Sequence, residues 1–462
     1  MFQCGRAEKL WLYKCFSEYI MEKESAWNAK IIACKNSFVG RLILSTSAKK
    51  GYVTLLDQSV VSFVHFLTSL LLARFLVPAE FGIWVLAYSV LTFAYGVQQA
   101  LIISPMMVLG AATKGDEAKN YFTSTGIMQA IFGIIVIIIL LLTSGILHMI
   151  YKKPETTYIF LAMSITSFSF LGQEFFRRAL FTQLRTKEAL KNDILCYGLQ
   201  IIGIIAFFYF GILNAVNTFW IIGLTTFLAI IYGYYQCHNL LKLHLVSWSK
   251  TIKENWDFGK WLLLSSLLTL TSGQAYFFIA AFLLGPIAPA VLRACQNIYG
   301  PCNILLLGIQ NIAQPEASKR YHQKSISTLN SFLVKMLIFM VITMGIYCFA
   351  ASFSADFLLR ILYKDKYIQY GNIVILLGIN YLIGALIQIP GTGLRAIRKP
   401  KALFYAYAAS SITTITLSIP LIKYFYITGA AMGLAINVFI VLAITFFLFN
   451  KYKHEISRCN CS

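Results

Sequence analysis

The chain has 462 residues, of which 58% are hydrophobic and only 12% charged, with a formal net charge of +21. A soluble domain carries about 25% charged residues, so this composition excludes an ordinary soluble globular protein and points to one membrane-embedded unit. The positive charge does not read as nucleic-acid binding, because Lys and Arg are scattered between apolar segments with no basic domain or aromatic–basic motif; it reads as loops facing anionic lipid.

Residues 1–47 come first and differ from the rest. "EKLWLYKCFSEYIMEKES" mixes aromatics and charges at helical spacing but lacks the apolar core and cleavage site of a signal peptide. Two readings stand: an interfacial amphipathic helix on the cytoplasmic side, or residues ahead of a working start at Met21 or later.

Beyond it, stretches of about 20 apolar residues recur along the chain. They predict about twelve transmembrane helices, at 52–73, 82–110, 121–146, 157–180, 194–213, 217–237, 260–284, 287–313, 329–352, 368–389, 401–421 and 426–449. The runs are long and do not alternate, which favours helices over strands. With the N-terminus inside, the inner segments hold about 31 of the 39 Lys and Arg. That bias predicts cytoplasmic loops at "RTKEALKND", "EASKRYHQK" and "RAIRKPKA", and cytoplasmic termini.

A weak internal repeat divides the helices. "ARFLVPAEFG" (73–82) follows the first helix and "AFLLGPIAPA" (281–290) the seventh, with Pro78 matching Pro286 and Pro105 matching Pro315. Two parallel six-helix halves fit this, because six crossings return the chain to one side; paired halves with a path between them are a transporter architecture. The expected organisation is an N-terminal extension (1–47), a first lobe (48–240), a second lobe (241–450) and a cytoplasmic tail (451–462).

Polar residues inside apolar helices are the candidate functional residues. In the first helix, Thr54, Gln58, Ser62, His65 and Ser69 share one face, with Asp57 beside it. This face either lines an aqueous cavity, with Asp57 or His65 exchanging a proton, or joins helices by hydrogen bonds. In "GQEFFRRALF", Glu174 precedes Arg177 and Arg178 by three and four positions, so the charges meet on neighbouring faces. Either the arginines anchor the helix at the cytoplasmic surface, or their surplus charge captures a phosphate or diphosphate at the inner mouth. Arg293 lies inside the eighth helix with no acidic residue within a turn, on a stretch rich in Gln296, Asn297, Asn303, Gln310 and Asn311. It either faces a cavity that takes an anionic substrate or reaches the headgroups. Pro289 and Gly300-Pro301 are expected to bend this helix.

Ten cysteines form no C-x-x-C and no cluster with His, so no metal site is expected. There is no P-loop, G-x-S-x-G or H-E-x-x-H either, so no cofactor is expected and ATP hydrolysis on this chain cannot drive transport.

"LLDQSVVSFVHFLTSLLLARFLVPAEFGIWVLAYS", "GQEFFRRALF" and "LRACQNIYGPCNILLLGIQNIAQPEA" resemble bacterial polysaccharide-biosynthesis flippases, the O-antigen flippase-like branch of the multidrug/oligosaccharidyl-lipid/polysaccharide exporter superfamily. The resemblance covers roughly residues 48–450. It implies an all-α polytopic protein of two six-helix lobes around a central cavity that opens alternately to each side. It implies an undecaprenyl-diphosphate-linked oligosaccharide as cargo, moved to the outer leaflet of a bacterial inner membrane, with membrane lipids and a polysaccharide polymerase among its partners. It points to Arg293, Arg177 and Arg178 for cargo binding and to Asp57 and Glu174 for ion coupling; the helix reading adds Gln296 and Asn297 to the first set and His65 to the second. The alternatives are a drug or small-cation antiporter, which wants acidic cavity residues, and a membrane glycosyltransferase or polymerase, which wants larger outer loops.

Overall fold

The computed structural model describes residues 46–151, 154–241, 248–323, 326–399 and 401–459. The expected extension at 1–47 therefore lies almost wholly outside the described residues. Contacts divide the chain into two compact units, Met1–Leu56 and Asp57–Ser462. Of the first, only the start of a helix is described; everything below concerns the second.

No strand occurs among the described residues. The helices are α1 (Thr46–Phe75), α2 (Pro78–Gln98), α3 (Gly115–Tyr151), α4 (Pro154–Thr182), α5 (Thr186–Tyr209), α6 (Ala215–Cys237), α7 (Ser249–Leu284), α8 (Ile287–Asn297), α9 (Gly300–Gln323), α10 (Ile326–Phe353), α11 (Ala355–Tyr363), α12 (Gly371–Ala396) and α13 (Lys401–Cys459). Among the described residues, ten helical stretches are long and apolar enough to cross a membrane. One of these, α13, contains two passes: at Tyr426 the backbone leaves helical geometry (φ 53°). Asn437 then donates to Thr414 at 2.6 Å, so the two halves run back along each other. The broken rod α8–α9, too polar to count among the ten, lies where the sequence predicts the eighth helix.

Several boundaries move for local reasons. Pro78 takes the first position of α2, where no amide hydrogen is needed, so α2 starts earlier than its apolar run. α2 continues into two π-helical turns, Gln99–Ile103 and Met106–Gly110, on either side of Pro105. α7 begins at Ser249, with a charged first third the apolar reading left out. The expected single eighth helix is split: Pro301 has no N–H, and Cys302 N–H bonds Tyr299 O rather than Ile298 O. Pro289 does not bend it, because it sits in the first turn of α8 where no helical bond is lost.

Two lobes share the second unit. In one, α4 packs on α3 and α6, and α5 on α6; in the other, α12 packs on α13 and α10, and α7 on α13. Lipid supplies no hydrophobic drive between helices, so close packing through small residues joins them. The two halves of the repeat touch each other. Gly285 (φ +86°) turns the chain from α7 into α8. A Cβ on Gly82 would lie 1.6 Å from Pro286 O, so only glycine admits this approach. Around it, Leu72, Phe81, Leu292, Tyr363 and Leu377 bury one core spanning both lobes. At the other end of the same seam, a Cβ on Gly259 would lie 2.5 Å from Ala100 O.

Candidate functional site: a central cavity and a buried charge cluster

Where α1, α2 and α5 face α8, α9 and α12, a cavity of about 220 Å3 remains. α1 contributes Ser62, His65, Thr68 and Ser69; α2 contributes Trp84 and Tyr88; α5 contributes Gln200. The opposite wall carries Arg293, Gln296, Asn297, Asn303 and Tyr381. Among the described residues, no Asp or Glu lines it. The 3.6-residue period places the polar stripe of α1 here, as expected for Ser62, His65 and Ser69. Gly300 lets the broken helix approach Phe66, whose ring a Cβ would meet at 2.3 Å.

Arg293 holds its guanidinium 4.8 Å from the centre of the Phe277 ring. Among the described residues it pairs with no carboxylate, so a cation resting on an aromatic face borders the cavity. Three tyrosines brace the surrounding backbone. Tyr347 donates to Ile298 O (2.7 Å), the carbonyl freed by the helix break; Tyr363 donates to Ala294 O (3.0 Å) and Tyr299 to Val374 O (2.8 Å). On the facing wall, His65 Nδ1 and the Tyr88 hydroxyl are 3.4 Å apart, and the His65 ring meets Tyr197 edge-on at 5.2 Å.

Asp57, Glu174, Arg177 and Arg178 do not line this cavity. They form a second cluster, inside the first lobe. Arg177 is 1% exposed and Asp57 and Asp193 are fully buried. The Arg177 guanidinium donates to Asp193 (2.5 Å), Asp57 (2.8 Å) and Glu174 (3.4 Å). Gln173 donates to the second oxygen of Asp193 at 3.1 Å. Arg178 lies 3.5 Å from Glu174 and donates to Tyr95 Oη, which itself donates to Glu174. Gln99 extends the chain by donating to Tyr95.

This geometry corrects the charge balance expected of "GQEFFRRALF". Its arginines are not a surplus at an open mouth: two guanidiniums meet three carboxylates, because α1 and α5 each bring one that linear spacing cannot show. Asp193 was missed. Its signal is a polar stripe on α5, Asp193, Tyr197 and Gln200, repeating that of α1. Asp57 Oδ1 is buried without a hydrogen-bond partner among the described residues.

The comparisons follow the same lines. A family profile described as polysaccharide biosynthesis protein matches residues 71–372. Curated proteins give no significant match. Among solved structures, the lipid II flippase MurJ in an inward closed conformation superposes with TM-score 0.69 at 14% identity, over 87% of each chain. An inward-facing multidrug resistance MATE family transporter of the MOP superfamily gives 0.64 at 14% identity, over 88% of this chain and 96% of that one. A MOP superfamily transporter from Pyrococcus furiosus Vc1, described as having a binding pocket of reversed polarity, gives 0.61 at 12% identity, over 88% and 95%. At these identities the likeness is one of fold. The profile match covers more than half the chain, and with the membrane-spanning helices it shows that the chain is a multi-pass membrane protein belonging to the polysaccharide biosynthesis protein family.

Proposed function

We propose that the protein is a flippase for a lipid-linked oligosaccharide, moving a polyprenyl-diphosphate-linked saccharide from the cytoplasmic to the outer leaflet. The observation that carries this reading is Arg293: an arginine on the cavity wall between the lobes, with no carboxylate in that wall among the described residues. A diphosphate supplies the missing anion, and a guanidinium grips it through two parallel N–H bonds. Gln296, Asn297 and Asn303 add amides that serve both diphosphate and saccharide oxygens. A cation or drug antiporter fits this wall less well, since its cargo would meet Arg293. A small-molecule site usually measures ~300–1,000 Å3. At about 220 Å3 the cavity is contracted, and cargo entry requires the lobes to part.

The charge cluster supplies coupling in this reading. With Asp57, Glu174 and Asp193 ionised against Arg177 and Arg178, it holds one negative charge in excess. Burial makes that excess unfavourable, so the cluster takes up one proton or monovalent cation from whichever side admits it. His65 lines the cavity and meets Tyr197, one turn along α5 from Asp193, so the pair offers a link between cavity and cluster. Arg177 and Arg178 then set the charge of the cluster instead of gripping cargo.

Proteoliposomes carrying undecaprenyl diphosphate with a fluorescent saccharide test this. Flipping is read as protection of the saccharide from a membrane-impermeant glycosidase. The wild type should flip, Arg293→Ala should not, and Arg293→Lys should recover only part of the rate. Full activity of the alanine variant would overturn the reading.

A further inference from the structure

The lobes also meet at the end of the cavity that the basic loops predict to be outer. There the end of α1 faces the segment that follows α11. α12, with 26 residues, spans about 39 Å on its own, enough to cross a bilayer core. α11 and the short 3-10 helix after it (Lys364–Tyr370) are therefore left at its outer end.

Pro78 prepares this contact. In a continuous helix the carbonyl of Arg74 would accept the N–H of residue 78, and Pro78 has none. Lys366 takes that place: its ammonium donates to Arg74 O at 2.6 Å and to Leu76 O at 2.8 Å. Arg74 answers in the other direction and donates to Ile361 O at 3.2 Å, in the last turn of α11. Each cation thus caps the carbonyl end of a helix in the other lobe, where the helix dipole is negative and carbonyls lack intrahelical donors.

Both sides of the contact lead back to the cargo site. Ser69 lines the cavity, and Arg74 lies five residues further along α1, about 7.5 Å. On the other side Tyr363, the last residue of α11, is fully buried and donates to Ala294 O, next to Arg293. Tyr363 and Tyr367 pack edge-on at 5.4 Å and fill the turn between them. Lys364 turns the chain there at φ 57°, a conformation that a non-glycine residue keeps only where its neighbours hold it.

We propose that Arg74 and Lys366 form the outer gate of the transport path: a reciprocal latch that holds the lobes closed over the cavity and releases when cargo leaves outward. The proposal rests on the flippase reading and names the residues that gate it. Water can replace every partner in the latch once the ends part, so the latch holds the lobes without trapping them. It also brings the gate within reach of coupling. α1 carries Asp57 of the charge cluster and ends at the latch, so a shift of this helix on ion uptake is felt at its carbonyl end.

The test uses the full chain, with its native cysteines replaced by alanine, in lipid nanodiscs and with spin labels at Val77 and Phe357. Both side chains are exposed, one on each side of the latch. With Lys366 in place, one short distance should dominate. Lys366→Met keeps most of the bulk and loses the ammonium, and a longer distance should appear. Lys366→Arg can still donate to both carbonyls and should return the short distance alone. A side chain that only packs would tolerate methionine. Flipping gives a second arm that leaves Lys366 untouched. Val77→Cys and Asp365→Cys, bridged by a reducible bifunctional thiol reagent, should stop flipping of the undecaprenyl-diphosphate saccharide, and reduction should restore it. Unchanged distances in Lys366→Met, or full flipping by the bridged protein, overturns the latch and leaves the flippase reading standing. If the unbridged protein flips nothing, the flippase reading falls, and the distances alone decide the latch.

Discussion

Arg177 and Asp193 stand sixteen residues apart on consecutive helices, and a 2.5 Å Nε–Oδ2 bond joins them inside the first lobe. That bond, with those to Asp57 and Glu174, turns a pair of arginines that looks like a surface anchor into the centre of a buried polar cluster. Three carboxylates share one guanidinium, and each is costly without it.

The first expectation follows for stability. Arg177→Ala leaves three buried carboxylates facing one another. Breaking a buried pair by removing one partner costs roughly 3–5 kcal/mol. The variant should accumulate poorly, or melt well below wild type in detergent. Arg178→Ala should be milder, because that side chain is 21% exposed. Equal melting of wild type and Arg177→Ala would show that the cluster does not hold the first lobe together.

Arg293 should behave in the opposite way. It forms no ion pair among the described residues, and its aromatic contact with Phe277 is worth about 0.5–2 kcal/mol. Arg293→Ala should therefore fold and insert. Its affinity for undecaprenyl diphosphate should fall by about 10- to 100-fold, the value of a charge-assisted hydrogen bond. Titration of the bare lipid reads this directly, and unchanged affinity would place the anion elsewhere.

Coupling is tested by charge, with the sign fixed in advance. The cluster carries one excess negative charge when fully ionised, so it should take up a cation. Glu174→Gln removes that excess, and the variant should stop responding to an imposed pH gradient while still binding cargo. Comparing flipping rates with and without the gradient decides it. A wild-type response in the variant assigns coupling to another site.

The seam between the lobes offers a packing test. Gly82 has no room for a Cβ against Pro286 O, whereas a Cβ on Gly145 meets nothing within 4 Å. Gly82→Ala should lower the thermal midpoint and raise the reactivity of cysteines introduced at the seam. Gly145→Ala should change neither. If Gly82→Ala packs as the wild type does, the two repeat motifs are not in the contact described.

The brace on the broken helix gives a smaller effect. Tyr347→Phe removes only the hydroxyl that satisfies Ile298 O. A lost net hydrogen bond is worth about 0.5–1.5 kcal/mol. The loss should appear as weaker cargo binding with little change in melting, since Arg293 is presented by this segment. A change in melting alone would make Tyr347 a packing residue.

The all-helical class and the membrane-spanning character were determined by the sequence itself. Uninterrupted apolar runs must satisfy their backbone bonds internally in lipid, so their length alone sets the element type. The polar stripe of α1 and the isolated Arg293 were also legible, because helical periodicity and local counter-charges are short-range properties. The break near Gly300-Pro301 belongs with them, since a missing N–H acts within one turn. Partnership across helices was not legible. Whether Arg177 faces headgroups or carboxylates depends on which faces of α1 and α5 are turned towards α4, and no spacing along α4 carries that information. The latch between α1 and the segment after α11 has the same origin: Arg74 and Lys366 become neighbours only when the two lobes close on each other. Sequence placed the charges along the helices; packing of the helices decided which are neutralised and which remain available to a ligand.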